Sequence, residues 1–266
     1  MTLKTESRFL SHGDKNTKLR KSNSQRDSNF TTYGLALAPS RSGTGHNVCW
    51  SASKGCIRAC VFKSGNGRYS TVREGRTRKK RMFFEDRPQF EHNLREGLRS
   101  AQRKAKKEKK RVAVRLNMYS DIEFEKEIPW IFTDPEFSDI TFYDYTKQYP
   151  RMKRFCNGEF PENYHLTFSR SEDNERETLD ILKQGGNAAI VLAKELYHTV
   201  TENEKSTWYG FDILPGDKTD LRFLEGKKSA VIALYAKGKG RSDTTGFVIR
   251  RPQHVEDLPR GFVIGR

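Results

Sequence analysis

Val112-Ala113-Val114-Arg115-Leu116-Asn117, Ile140-Thr141-Phe142-Tyr143-Asp144-Tyr145, Tyr164-His165-Leu166-Thr167-Phe168-Ser169 and Ala188-Ala189-Ile190-Val191-Leu192 are short runs rich in β-branched and aromatic residues. That composition predicts strands. Upstream, Thr31-Thr32-Tyr33-Gly34-Leu35-Ala36-Leu37-Ala38 reads the same way, and downstream so do residues 208–214 and 230–236. Between most of them lie helical or mixed segments. Residues 90–111 place Phe90, Leu94, Leu98 and Ala101 on one helical face. Residues 121–132 and 175–184 read as further helices, the second capped by Asn174 or Asp173 and ended by Gly185-Gly186. Strands alternating with helices predict βαβ units and a mainly parallel sheet. The length of 266 residues suits one barrel-type domain. The expected fold is therefore α/β, a single, partial β/α-barrel-like domain over residues 31–266. Residues 1–30 are polar with little periodicity and read as a flexible basic arm.

Polar residues recur just after these strands: Asn117, Ser120 and Asp121; Thr146 and Lys147; Ser169 and Arg170; Lys194; Lys237 and Lys239. In a β/α barrel the C-terminal strand ends converge on the face that carries the active site. Loops are polar in any case, so the recurrence across successive strands carries the reading. Asp121 and Lys147 become candidate acid/base groups. Asn117, Ser120, Ser169, Arg170 and Lys237 become candidates for holding a cofactor or substrate.

The loop after the first expected strand reads Cys49-Trp50-Ser51-Ala52-Ser53-Lys54-Gly55-Cys56-Ile57-Arg58-Ala59-Cys60. Cys56 and Cys60 lie four apart, so one helical turn puts them on one face. Thiolates select zinc or iron–sulfur clusters over hard cations. A polar, glycine-bearing loop cannot bury three thiols as ordinary core residues, which favours Cys49, Cys56 and Cys60 as metal ligands. Closed structural zinc takes four ligands, typically from paired knuckles, and the chain has no second C-x2-C. Three thiolates suit a 4Fe-4S cluster with one iron left open to a small molecule. Zinc is the alternative, with the distant Cys156 as fourth ligand.

The formal net charge is +16. Such an imbalance points first to nucleic acid or a nucleotide as partner. Arg76, Arg78, Lys79 and Lys80 are the candidate phosphate contacts, in a run that otherwise reads as a solvated basic helix. Tyr69, Phe83, Phe84 and Tyr119 are interleaved aromatics that could stack on bases, although Phe83 and Phe84 fit core packing better. Gly65-Asn66-Gly67 with Lys63 and Arg68 is a weak match to a phosphate cradle. No run approaches the ~18 apolar residues that span a bilayer, and the N-terminus lacks an apolar signal core. A cytoplasmic protein with reduced thiols and no membrane partner is expected.

The residues from Asn47-Val48-Cys49 to Cys60, Gly67-Arg68, Arg76-Thr77-Arg78-Lys79, Ser120-Asp121, Tyr145-Thr146-Lys147, Gly216-Asp217, Asp220-Leu221-Arg222 and Ala236-Lys237-Gly238-Lys239 resemble an uncharacterised bacteriophage-encoded group, the "gene product 88"-like family. The resemblance covers nearly everything after residue 30 and implies a phage protein working in host cytoplasm. More loosely, the chain resembles radical S-adenosylmethionine enzymes, which hold a 4Fe-4S cluster on three close cysteines at the mouth of a partial β/α barrel. Their usual spacing is C-x3-C-x2-C; here it is C-x6-C-x3-C. That likeness implies an iron–sulfur enzyme with S-adenosylmethionine as cofactor, acting on a nucleotide or nucleic acid. The competing function is a non-catalytic nucleic-acid-binding phage protein with structural zinc. A host protein is a further candidate partner.

Overall fold

The computed structural model describes residues 9–15, 19–20, 22, 29–203, 205–251 and 255–256. Its strands are β1 (Ser11–His12), β2 (Phe30–Gly34), β3 (Arg111–Arg115), β4 (Ile140–Thr146), β5 (Tyr164–Ser169), β6 (Ala188–Leu192), β7 (Thr207–Trp208), β8 (Phe211–Pro215), β9 (Val231–Tyr235), β10 (Val248–Ile249) and β11 (Val255–Glu256). Its helices are α1 (Lys54–Ala59), α2 (Ser70–Glu85), α3 (Arg87–Lys107), α4 (Phe124–Glu127), α5 (Trp130–Thr133), α6 (Tyr149–Cys156), α7 (Glu175–Lys183) and α8 (Lys194–Glu202). All strands join one sheet, ordered β1-β2-β3-β4-β5-β6-β9-β8-β7-β11, with β10 beside β6. The central path from β2 through β9 to β8 is parallel throughout. The expected α/β fold with a mainly parallel sheet is what the chain adopts.

The order of β2 to β6 explains where the helices go. Each new strand adds on the same side of the last, and parallel crossovers are right-handed. Successive crossovers in one direction must then pass over one face. Accordingly Phe90, Leu94 and Leu98 of α3, Met152 of α6, Ile181 and Leu182 of α7 and Leu196 and Val200 of α8 share one core with the strand residues Val112, Val114, Phe142, Leu166, Phe168, Ile190 and Val231. The alternate strand positions face the other way. Ala113 and Tyr143 pack with Leu19, Met118 and Leu221, and Ala189 packs with Ile232. Helices on a single face are the arrangement of a β/α barrel, here left open. Each fully buried large apolar side chain contributes roughly 1.5–3 kcal/mol, so the helix-covered face dominates stability.

Several local expectations are corrected. Residues 121–132 form two short helices, α4 and α5, because Pro129 lies between them and cannot continue the first. Residues 208–214 are a hairpin, since Tyr209 and Gly210 both take positive φ and turn the chain between β7 and β8. Helix α3 starts at Arg87 under the Asp86 cap, whose carboxylate accepts the Gln89 N–H at 3.2 Å, and stops before Arg111, which opens β3. Within residues 1–30, read above as an arm, the described part is packed. Phe9 and Leu10 are buried, β1 pairs with β2, and Leu19 is fully enclosed. The rest of that segment lies outside the described residues. Among the described residues no helix is long and apolar enough to cross a membrane.

Candidate functional site

A cavity of about 790 Å³ opens at the C-terminal ends of the parallel strands. Its wall is built from the cysteine loop, the segments following β3, β4, β8 and β9, and Phe247. Ligand sites in parallel α/β sheets occupy this end because the strand-end loops converge there. The size suits a drug-sized or nucleotide-sized ligand.

The cysteine loop is pinned from several directions. Buried Lys80 of α2 donates from Nζ to the carbonyls of Ser40 (2.7 Å) and Ser42 (3.1 Å). The Ser40 N–H donates to Cys49 Sγ at 3.3 Å, and the Cys49 thiol donates to the Tyr119 carbonyl at 3.4 Å. The Asp121 N–H bonds to the Val48 carbonyl at 2.7 Å, tying the loop to the end of β3. Ser53 caps α1 by accepting the Cys56 N–H at 3.1 Å. Glu172, following β5, accepts the Gly55 N–H at 2.6 Å and the Ser53 hydroxyl at 2.7 Å. A side chain at position 55 would meet Thr245 Oγ1 at 2.2 Å and Phe247 Cβ at 2.5 Å, which explains the glycine.

Cys49, Cys56 and Cys60 all line the cavity, and all are partly exposed. Burial pushes the Cys49 thiol up to about 12, with Cys56, Cys60 and Asp121 adding to the effect. Three thiols on one cavity wall are a donor set suited to a soft cation, which deprotonates a coordinating thiol outright. Among the described residues no three His, Cys, Asp or Glu side chains are drawn together as ligands of a single metal ion. An iron–sulfur cluster spreads its thiolates over separate irons, so it asks for a looser arrangement than a mononuclear ion does. Cys156 is elsewhere. It ends α6 beside Gly186, where a Cβ would lie 2.9 Å from its Sγ; that glycine just precedes β6, at the end of the sheet opposite the cavity. It therefore cannot close a site with the loop cysteines.

Asn117, Ser120, Asp121, Lys147, Ser169 and Lys237 also line the cavity, whereas Arg170 does not. Most are engaged by the protein. Asn117 Oδ1 accepts from Ser120 Oγ (2.8 Å) and the Ile122 N–H (2.9 Å), while its amide donates to Asp144 Oδ2 (3.0 Å) and the Ile122 carbonyl (3.0 Å). It shapes the loop after β3. Asp121 accepts the Lys147 N–H at 2.9 Å and Arg151 Nη1 at 3.2 Å. Fully buried Arg151 also grips Glu125 through Nε (3.1 Å) and Nη2 (2.7 Å). Lys147 Nζ donates to Ser169 Oγ at 2.5 Å. Lys237 pairs with Asp217. Arg170 holds Glu175 at 2.7 Å and the Gly246 carbonyl at 2.5 Å, fastening the segment that carries Phe247.

The basic run is largely a scaffold. Arg76 donates to the Phe62 carbonyl at 2.9 Å with its guanidinium carbon 4.5 Å from the Tyr119 ring centroid, and Lys80 is 0% exposed beneath the cysteine loop. Lys79 bonds the Phe9 carbonyl, and burial lowers its ammonium to about 8. Of the four expected phosphate contacts only Arg78 is exposed. Arg76 and Lys80 are buried and Lys79 half-buried because α2 packs under the site. Gly65-Asn66-Gly67 is a tight helical turn in which a Cβ on Gly67 would sit 1.8 Å from the Phe62 carbonyl, so that glycine serves packing. Phe83 is core, as expected, and Phe84 stacks on His46; Tyr69 is exposed.

Sequence reasoning passed over Arg115, Tyr145, Asp217 and Asp220, which complete the cavity wall. A signal was present: Arg115 interrupts an apolar strand at the parity of Ala113, away from the helix-covered core. Arg115 Nη1 lies 2.9 Å from Asp220 Oδ2. Neither a curated protein nor a solved structure matches the chain. The sequence pattern of a phage gene-product family does match, over residues 7–251, and the chain belongs to that family, Gene product 88.

Proposed function

We propose that Cys49, Cys56 and Cys60 hold a 4Fe-4S cluster and that the protein is an enzyme of the radical S-adenosylmethionine kind, acting on a nucleotide or nucleic acid in the host cytoplasm. One observation carries this reading: three thiols from a single loop share the wall of one large cavity at the C-terminal ends of the parallel strands. When bound, such a cluster supplies a one-electron donor and one iron open to a small molecule such as S-adenosylmethionine. The chain's own residues do the rest. Ser53 and Glu172 fix the helix that carries Cys56, and Lys80 braces the turn before Cys49. The cavity wall holds Arg58, Lys63, Lys147, Lys237 and Lys239 beside Asp121, Asp217 and Asp220. With Arg115 this leaves an excess of positive charge, which favours an anionic substrate.

The alternative, structural zinc in a nucleic-acid-binding protein, is left with three thiolates because Cys156 lies beside Gly186, at the end of the sheet opposite the cavity. Anaerobic reconstitution with iron and sulfide tests the two readings. A brown protein with equimolar iron and sulfide is expected, together with cleavage of S-adenosylmethionine on reduction. Cys56→Ala is expected to lose the iron. Zinc without sulfide, or unchanged iron in Cys56→Ala, would overturn the proposal.

A further inference from the structure

Four buried side-chain atoms without a hydrogen-bonding partner among the described residues belong to one cluster: Arg115 Nε, Arg222 Nε, the Tyr145 hydroxyl and Glu225 Oε2. The Arg115 guanidinium carbon lies 4.5 Å from the Tyr145 ring centroid, and Arg222 pairs with Glu225. Tyr145 in turn feels the charges of both Arg222 and Glu225. The two arginines are 6% and 5% exposed. A buried polar group without a partner has lost its hydration with nothing in return. A purely structural network satisfies its own members, so several orphans in one place call for an outside partner.

The guanidiniums are also pre-set. Asp220 holds Arg115 Nη1 at 2.9 and 3.2 Å, and the Gly216 carbonyl holds Arg222 Nη2 at 2.9 Å. Both Nε–H groups have no partner among the described residues. Arg115 and Tyr145 line the cavity that the cysteines share. Burial keeps the Tyr145 phenol well above its ordinary range, so it stays an O–H donor. Arg115 Nε and the Tyr145 hydroxyl are therefore two donors on residues of the cavity wall, one of them charged; Asp220 is paired with Arg115, and Glu225 Oε2 is the one acceptor among the cluster's orphans.

We propose that this part of the cavity is an oxyanion subsite, where a phosphate or carboxylate group of the substrate accepts from the Tyr145 hydroxyl and the Arg115 Nε–H. Arg222 stands beside them, its charge opposed by Glu225. The inference rests on the cavity being the substrate site, and not on the metal.

Tyr145→Phe is the sharpest probe, because the hydroxyl it removes has no hydrogen-bonding partner among the described residues. Full-length protein would be titrated calorimetrically with inorganic phosphate and, separately, with acetate. Saturable binding of phosphate assigns a phosphorylated substrate; binding of acetate assigns a carboxylate. In Tyr145→Phe the affinity is expected to fall about tenfold or more, with unfolding midpoint and iron content unchanged. Arg115→Lys keeps the charge beside Asp220 but loses the Nε–H, and is expected to weaken the same probe. Failure of the wild type to bind either probe, or wild-type affinity in Tyr145→Phe, would overturn the subsite. Loss of iron binding with probe binding intact would sink the cluster reading alone.

Discussion

The two faces of the sheet are made by the same strands and differ in almost every physical respect. On the helix-covered face Val112, Val114, Phe142, Phe168 and Ile190 are buried in one apolar core. On the opposite face the strands present Arg115, Tyr143, Tyr145 and Ser169, with Arg115 paired to Asp220 and flanked by groups that lack partners among the described residues. One face is optimised for stability. The other carries unsatisfied polar groups that stability alone would not retain. The contrast teaches that, at the C-terminal strand ends, the parity of a residue decides whether its side chain enters the apolar core, as Val114 and Phe142 do, or the cavity wall, as Arg115 and Tyr145 do.

The largest effect should come from the first face. Phe168 is fully buried, and Phe168→Ala is expected to cost about 3–5 kcal/mol in chemical denaturation. A cost near that of Tyr145→Phe, which should be close to nothing, would erase the distinction.

A smaller effect sits where the faces meet. The Asp144 carboxylate accepts the Asn117 N–H at 2.6 Å and the Tyr164 hydroxyl at 2.8 Å. Burial nonetheless raises its pKa to about 6, against the pull of Arg151. The folded protein thus binds this proton more tightly than the unfolded chain, whose carboxyl titrates near ~4. The contribution to stability is present below about pH 4 and lost as pH rises through about 6. The unfolding free energy of the wild type, relative to Asp144→Asn, should fall by on the order of 3 kcal/mol across that window. A flat difference would mean that the carboxyl titrates alike in both states.

The smallest effect concerns the cysteine helix. Ser53→Ala removes the cap of α1 and should cost about 1 kcal/mol; under the proposed cluster, the loss is expected to be felt more in iron retention than in global unfolding. Equal loss in both would join α1 to the main core.

Much of the fold was legible because period and punctuation are local. The β3, β4, β5 and β6 runs, the apolar stripe Phe90-Leu94-Leu98 and the Gly185 stop of α7, which takes positive φ, all read correctly from neighbouring residues. The α4–α5 break was also local, marked by Pro129, and was read through. The site was legible in part. Strand-end position placed Asp121, Lys147 and Lys237 on the cavity wall. Position did not reveal that Asn117 and Asp121 are already occupied by Asp144, Arg151 and loop N–H groups, since those bonds join residues far apart in sequence. The same limit hid Lys80, a surface lysine by composition that packing has drawn beneath the cysteine loop.

By itself the sequence determined the alternation of strands and helices, the three thiols of one loop and the excess of positive charge, because each depends only on residue type and spacing. Tertiary structure alone decided that Cys156 stands apart from those thiols, that Arg76 and Lys80 serve as braces, and that Arg115 and Tyr145 come beside Arg222. Those facts are set by strand order and by which face each crossover covers, and contacts across such distances leave no trace in local pattern.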